Sequence, residues 1–281
     1  MSRPLVSVVM SAWNEEKYVG KTIESILKQT LTDFEFIIVN DGSTDKTQHV
    51  LDDFASRDKR IKIIVNEANM YIARSLNRGI QSGQGEYVAI IDAADVAHPM
   101  RLEKQVRFLQ AHRDVYLVGT YVYWVDEGGN IIGEWKVPQV IENSKLYIPQ
   151  IAVHPSIMIR KELFDKIGFY DVHSDVSVEF ELYLRVSRHR LDIANIPEFL
   201  TYVTVRDKGV THTNLRTIQW NQFKIKLQYL PYFFSFWNVF STLRSFVGLL
   251  LPYFLLKRVV IRSIRGKNPN VKVYRRMIDP K

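Results

Sequence analysis

The stretch Phe34-Glu35-Phe36-Ile37-Ile38-Val39-Asn40-Asp41-Gly42-Ser43-Thr44-Asp45 decides the fold. Its apolar half reads as a short buried strand, and its polar half is a turn cluster that also supplies helix caps. The same strand–turn–helix unit recurs on both sides of it. Leu5-Val6-Ser7-Val8-Val9-Met10 is a buried strand, followed by a helix opening at Asn14-Glu15-Glu16 with Val19, Ile23, Ile26 and Leu27 at helical spacing. After Asp45 come a helix from about Lys46 to Ser56, a strand over Ile61–Val65, and a helix over Tyr71–Ser82 that Gly83 and Gly85 stop. A strand over Glu86–Ile91 and a helix over Pro99–His112 complete the pattern. Strands alternating with helices predict a mostly parallel sheet covered on both faces.

Ligands of such sheets bind beyond the carboxyl ends of the strands. Polar residues collect there: Ser11-Ala12-Trp13-Asn14 after the first strand, Asp41 after the second, and Asp92-Ala93-Ala94-Asp95 after the fourth. Neither G-x-G-x-x-G nor G-x-x-x-x-G-K-S/T occurs, so dinucleotide and P-loop chemistry are not indicated. The second half reads as more antiparallel. Leu117–Val125 alternates, Asp126-Glu127-Gly128-Gly129-Asn130 is a hairpin turn, and His154-Pro155-Ser156 leads into a strand over Ile157–Ile159. A helix follows from about Val178 to His189.

At 281 residues, 46% hydrophobic and 24% charged, the chain is one large domain or one domain with an appendage, and it can bury a core without staples. The absence of cysteine excludes disulfides, thiolate zinc sites and cysteine nucleophiles, and suits a reducing compartment. Met1–Pro4 lead straight into the first strand, which predicts no signal peptide. Of the net charge of +8, all resides in residues 257–281, which carry nine Lys/Arg and one acid, Asp279. Leu230–Leu256 before them is dense in aromatics and leucine, but Pro231, Asn238, Arg244 and Pro252 interrupt it. Its charge-free run after Arg244 is 12 residues, short of the ~20 that a spanning helix needs. The expectation is an amphipathic in-plane or re-entrant helix, with residues 230–276 lying on an anionic membrane surface. Packing of this stretch on the catalytic domain or on a second copy in a homo-oligomer is the other reading. Nucleic acid would leave the apolar run unexplained.

Val8-Val9-Met10-Ser11-Ala12-Trp13-Asn14-Glu15, Val39–Asp45 and Gly85-Glu86-Tyr87-Val88-Ala89-Ile90-Ile91-Asp92 resemble the inverting family-2 glycosyltransferases of the GT-A fold. His154-Pro155-Ser156 and Ala194-Asn195-Ile196-Pro197-Glu198 resemble the same family. The resemblance runs from about Pro4 to Arg206. It implies an α/β GT-A fold, with a Rossmann-like nucleotide-binding half and a mixed-sheet acceptor half, over 1–215, and a helical, basic membrane-associating tail over 216–281. The implied activity is hexosyl transfer from a nucleotide-sugar donor, expected to be UDP-linked, to a lipid-linked or glycan acceptor. The implied place is cytoplasmic, peripheral on the inner face of a membrane.

By this resemblance Asp41 contacts the pyrimidine ring of the donor, whose N–H a fixed carboxylate can accept; alone, Asp41 would read as a turn residue capping the next helix. Trp13 stands where the family has Tyr and stacks on the base or packs in the core. Ser11, Glu15, Asn69, Arg74 and Asp92 complete the donor set. The family shows Asp-x-Asp-Asp where this chain has Asp92-Ala93-Ala94-Asp95, and Ala94 falls on a metal ligand. Arg206 falls where a late His helps hold the metal and diphosphate. A divalent cation (Mn or Mg) is therefore in question: Arg206 could carry the diphosphate charge directly, Asp92 and Asp95 could hold a metal in another way, or Ala94 could disable the site. Tyr71, where the family prefers Gly, narrows the donor pocket in this reading. No organic cofactor is implied. Inverting transfer needs a general base, and counting back from Arg185 assigns it to Glu179. A dipole partner at a helix start is the plainer reading of that residue, and Glu181 is the second candidate. A non-catalytic relative that binds a partner or glycan is the alternative function.

Overall fold

A computed structural model of the chain describes residues 3–139, 141, 147, 151–173, 176–206 and 215–250. Nine strands form one mixed sheet, in the order β3-β2-β1-β4-β8-β6-β9-β5 with β7 paired to β6. β1 (Val6–Ala12), β2 (Phe34–Asn40), β3 (Ile61–Val65) and β4 (Tyr87–Ile90) are parallel neighbours. Successive side chains of a strand point to opposite faces, and here both faces are covered. Val9, Val88 and Ile90 pack under α3 (Tyr71–Ser82), with Ala73, Leu76 and Ile80. Val8, Met10, Phe36, Ile38 and Ala89 pack with Ile23 and Ile26 of α1 (Val19–Leu27), Leu51 of α2 (Thr47–Arg57) and Leu102 and Val106 of α4 (Arg101–Ala111). A strand buried on both sides has no polar face, which is why these segments read as unbroken apolar runs.

The second half combines both pairings. β6 (Val115–Val125) is antiparallel to β7 (Ile131–Trp135), through the expected Asp126–Asn130 turn, and antiparallel to β8 (Met158–Arg160). Its longest partnership is parallel, with β9 (Asp192–Thr204). β9 absorbs Pro197 and Glu198 as a register shift, since Ile196 pairs with Thr120 but Phe199 pairs with Tyr121. β5 (Val96–Ala97) closes the sheet against the end of β9. Short α5 (Glu162–Ile167) follows β8, and α6 (Val178–Arg188) packs its Phe180, Leu182, Tyr183 and Leu184 into the α3-side core.

The first helix starts later than its sequence suggests. α1 opens at Val19, and residues 13–18 form a loop with Asn14 in the left-handed region (φ 56°). The polar side chains that read as a helix start bond across to the next loop instead. In the tail, α7 (Leu215–Tyr229) and α8 (Phe236–Leu250) make an antiparallel-type hairpin, and Ile225 and Tyr229 of α7 join the α3-side core. No described helix is long and apolar enough to cross a membrane. The basic cluster over 257–281 and the end of the apolar run lie outside the described residues.

Gly85 lies against the backbone of β1, donating its N–H to Ser7 Oγ at 2.8 Å. A Cβ there would overlap the Ser7 backbone nitrogen. Gly85→Ala should therefore force β1 and β4 apart and cost about 1–3 kcal/mol, read as a lower urea midpoint. An unchanged midpoint would show that the β1–β4 seam is looser than this contact implies.

Candidate active site

Register places the chemistry. Ala12 pairs with Asn40, and Asn40 with Val65, so the parallel strands end level with one another. The loops beyond them interlock. Asn14 N–H donates to Ser43 Oγ at 3.0 Å, and Asn14 Oδ1 accepts from Thr44 N–H at 2.8 Å. Glu15 N–H donates to Thr47 Oγ1 at 2.8 Å, Glu16 N–H to Asp45 Oδ2 at 3.1 Å, and Lys46 N–H to Glu16 Oε2 at 2.9 Å. Asn14, Glu16, Ser43, Thr44, Asp45 and Thr47 thus build a frame. What the frame leaves is Trp13, half exposed at 50%, the Glu15 carboxylate turned inward, and Asp41.

Asp41 is buried, and its Oδ1 accepts from Asn66 Nδ2 at 2.6 Å and from Met70 N–H at 2.8 Å. Asn66 also donates to Ser75 Oγ at 2.8 Å and accepts from Arg78. Asp41 therefore does not cap the next helix; it is fixed from the β3–α3 side. Asn69 Oδ1 accepts from Tyr71 N–H at 2.9 Å, and Tyr71 takes φ 65°. A bulky residue in the left-handed region is a backbone outlier of the kind found at ligand clamps, and it explains why Gly suits this position. The Tyr71 ring points outward, 56% exposed. Arg74 is exposed on α3 and takes no part in the Asp41 node, where Arg78 does. Asn66 and Arg78 were missed in the sequence; Asn66 follows β3 as Asp41 follows β2, which was the available signal.

At the sheet centre Asp92 is half-buried after β4, and Asp95 turns back into the protein. Asp95 Oδ1 accepts from Thr204 N–H at 2.9 Å, while its Oδ2 is buried without a partner. Burial and the neighbouring Asp92 charge push the Asp95 carboxyl well above the usual carboxylate range. One Asp95 oxygen is taken by the β9 backbone, and Ala94 has no donor. Among the described residues no group of three or more His, Asp or Glu side chains is placed to hold a metal ion. The residues present do not fit the metal arrangement implied by the family.

Arg206 lies nearby, paired with Glu15. Its Nη1 donates to both carboxylate oxygens of Glu15, at 2.8 and 2.7 Å, and its guanidinium lies 5.3 Å from the Tyr18 ring centre. Burial pushes the Glu15 carboxyl above its ordinary value despite the opposing pull of Arg206, and Asp92 and Asp45 push the same way. Burial opposes the Arg206 charge, but the Glu15 hydrogen bond and charge outweigh it, so the guanidinium stays firmly protonated.

On the acceptor side Glu179 lies in the first turn of α6, half-buried. Burial raises its carboxyl above the usual range; the His154 charge and a backbone hydrogen bond oppose this, and Asp92 adds to it. Glu179, His154 and Asp92 are therefore near enough for their charges to interact. His154 Nε2 pairs with Tyr170 OH at 2.9 Å, and Asn77 of α3 bonds both backbone groups of Tyr170. Glu181, the second candidate base, is engaged elsewhere: Arg185 donates to both of its oxygens at 3.1 and 2.9 Å, and Tyr229 OH donates to Oε1 at 2.5 Å. It is a structural residue that ties α6 to α7.

Asp41 fixed beyond β2, the Arg206–Glu15 pair and Glu179 at the start of α6 bring polar and charged groups together along one edge of an α/β sheet. The chain belongs to glycosyl transferase family 2, whose model matches residues 7–168, and is a nucleotide-sugar-dependent glycosyltransferase. It is 34% identical to an uncharacterized glycosyltransferase of Methanocaldococcus jannaschii over 96% of this chain and 97% of that protein. It is 30% identical to the O-antigen biosynthesis glycosyltransferase WbnJ of Escherichia coli over 75% of this chain and 84% of that one. The fold is that of TarS from S. aureus, a structure of residues 1–349 covering 91% of this chain and 78% of that chain with a TM-score of 0.64 and 18% identity.

Glu15→Ala leaves Arg206 part-buried without its carboxylate and should cost about 1–3 kcal/mol. Arg206→Ala should cost a similar amount, and the double variant little more, because the two act as one unit. Additive losses in urea denaturation would mean that the pair is not coupled.

Proposed function

We propose that this enzyme moves a sugar, with inversion, from a UDP-type donor to a lipid-linked or glycan acceptor on the cytoplasmic face of a membrane. The observation that carries the reading is the Glu179 carboxyl: half-buried at the start of α6, with burial raising its proton affinity toward the range useful to a general base. One solved form of TarS holds UDP-GlcNAc, and WbnJ acts in O-antigen biosynthesis; both support the donor and acceptor classes.

In this mechanism Asp41, held by Asn66 and the Met70 N–H, accepts from the uracil ring, and Trp13 stacks on its face. Ser11, Asn69 and Arg74 line the nucleotide, and Asp92 meets the ribose or sugar. The acceptor hydroxyl oxygen attacks the anomeric carbon, and its proton passes to Glu179. The bond from that carbon to the β-phosphate oxygen breaks, and the electron pair leaves with UDP. Arg206 supplies positive charge for the departing diphosphate, exchanging part of its hold on Glu15 for the phosphate oxygens. No step passes through a metal. Residues 1–215 carry this chemistry, and 216–281 hold the enzyme at its acceptor.

Thermal denaturation with UDP, GDP and TDP, each with and without Mn²⁺, tests the donor site. UDP at ~100 times its dissociation constant should add ~2.7 kcal/mol without metal. A shift that requires Mn²⁺ would overturn the Arg206 role, and no shift with any nucleotide would overturn the donor reading. Glu179→Gln should keep the UDP shift and lose turnover by roughly a hundredfold or more. Because the base must be deprotonated, kcat/KM should fall as pH drops through a Glu179 pKa above the ordinary carboxylate range. An acid limb at or below that range would assign the base elsewhere.

A further inference from the structure

The helices of the tail are sorted inside out. On α8, Asn238, Thr242, Ser245 and Gly248 face inward, while Phe236, Trp237, Phe240, Leu243, Val247 and Leu250 face outward. Asn238 is 2% exposed and Phe236 76%. An amphipathic helix lying in the interface plane keeps a polar face toward water; here the polar stripe is the seam between α7 and α8.

That seam is internally satisfied. Asn238 Nδ2 donates to Phe233 O at 2.7 Å, Thr242 Oγ1 to Asn238 O at 2.8 Å, and Ser245 Oγ to Ser241 O at 3.0 Å. Lys226 of α7 is buried and donates from Nζ to Ser241 Oγ and Ser245 Oγ, each at 3.0 Å. Small and hydroxyl residues between helices, with apolar side chains outside, are how helices pack where hydrocarbon is the solvent, because no water is available there to satisfy polar groups.

We infer that the α7–α8 hairpin is a monotopic wedge whose α8 face sinks into the acyl layer of one anionic leaflet. The inference builds on the membrane-surface reading above and specifies how the surface is engaged. Sequence limits the wedge to one leaflet: the charge-free run between Arg244 and Lys257 is 12 residues, short of the ~20 that a spanning helix needs. Charge selects the lipid. Arg216, Lys224 and Arg244 are exposed on the hairpin, and the sequence after Leu250 runs into nine Lys/Arg with one acid over 257–281. Such a flank attracts anionic headgroups. The wedge is also joined to the catalytic half, through Tyr229 on Glu181 and Arg188 stacked 3.8 Å from the Tyr232 ring centre.

The test uses the full chain with vesicles of phosphatidylcholine alone or mixed with phosphatidylglycerol. Flotation with the anionic vesicles is expected, together with quenching of tryptophan fluorescence by acyl-brominated lipid, and Trp237→Phe should remove most of that quenching. Phe240→Ser combined with Leu243→Ser should weaken flotation by tenfold or more while leaving the UDP-induced thermal shift intact. Flotation without acyl-chain quenching would overturn the wedge in favour of surface adsorption. A lipid-free dimer that those two substitutions dissolve, with no flotation, would overturn it in favour of a second copy. Insertion without any UDP shift would uphold the wedge and sink only the donor reading.

Discussion

The site depends on the parallel register of β1, β2, β3 and β4. Because Ala12, Asn40 and Val65 stand side by side, the chain leaves the sheet at one level in three successive units. Asp41 N–H still donates to Ala12 O at 2.8 Å, and Asn66 N–H to Asn40 O at 2.9 Å, so the ladder runs one step past the strands into the loops. A side chain carried on such a step inherits the rigidity of the sheet. That is how Asp41 acquires a fixed position without a long-range salt bridge, and why the frame around it consists of hydrogen bonds between short polar side chains. A slip of one residue between β1 and β2 would turn every buried side chain to the wrong face.

Much of this was legible in the sequence because it rests on period and punctuation. The apolar runs of β1, β2, β3 and β4, the Asp41-Gly42 turn and the Asp126–Asn130 hairpin follow from local residue chemistry. The start of α1 was not, because Asn14-Glu15-Glu16 resembles a cap in isolation; its bonds go to Ser43, Thr44, Asp45, Lys46 and Thr47, which only the fold brings near. β9 was hidden for a related reason. Pro197 and Glu198 break its alternation, and the bulge that absorbs them is defined by its partner β6. The ion pair of Arg206 with Glu15 joins residues 191 positions apart, beyond any local pattern. The direction of the α8 faces was likewise closed to sequence reading, since a periodic stripe shows that a helix has two faces and not which one meets the protein.

The electrostatics of the centre are coherent once Ala94 is taken together with its neighbours. Here Asp95 is tucked under β9 with its proton favoured, and Thr204 Oγ1 donates to the Ala94 carbonyl. Arg206 grips both carboxylate oxygens of Glu15 beside them.

The hairpin gives that centre its orientation. Glu181 shares α6 with Glu179, and its carboxylate is gripped by Arg185 from one side and Tyr229 from the other. Arg185 also donates to the carbonyls of Ile167 and Phe169, at 2.6 and 2.7 Å, so the segment leading to Tyr170 and the His154 pair hangs on the same guanidinium. A load applied to α7 therefore bears on the turn that presents Glu179 and on the ring that meets His154. Two carboxylates two residues apart divide the work: Glu179 faces the cleft with a raised proton affinity, and Glu181 faces the tail as an anchor.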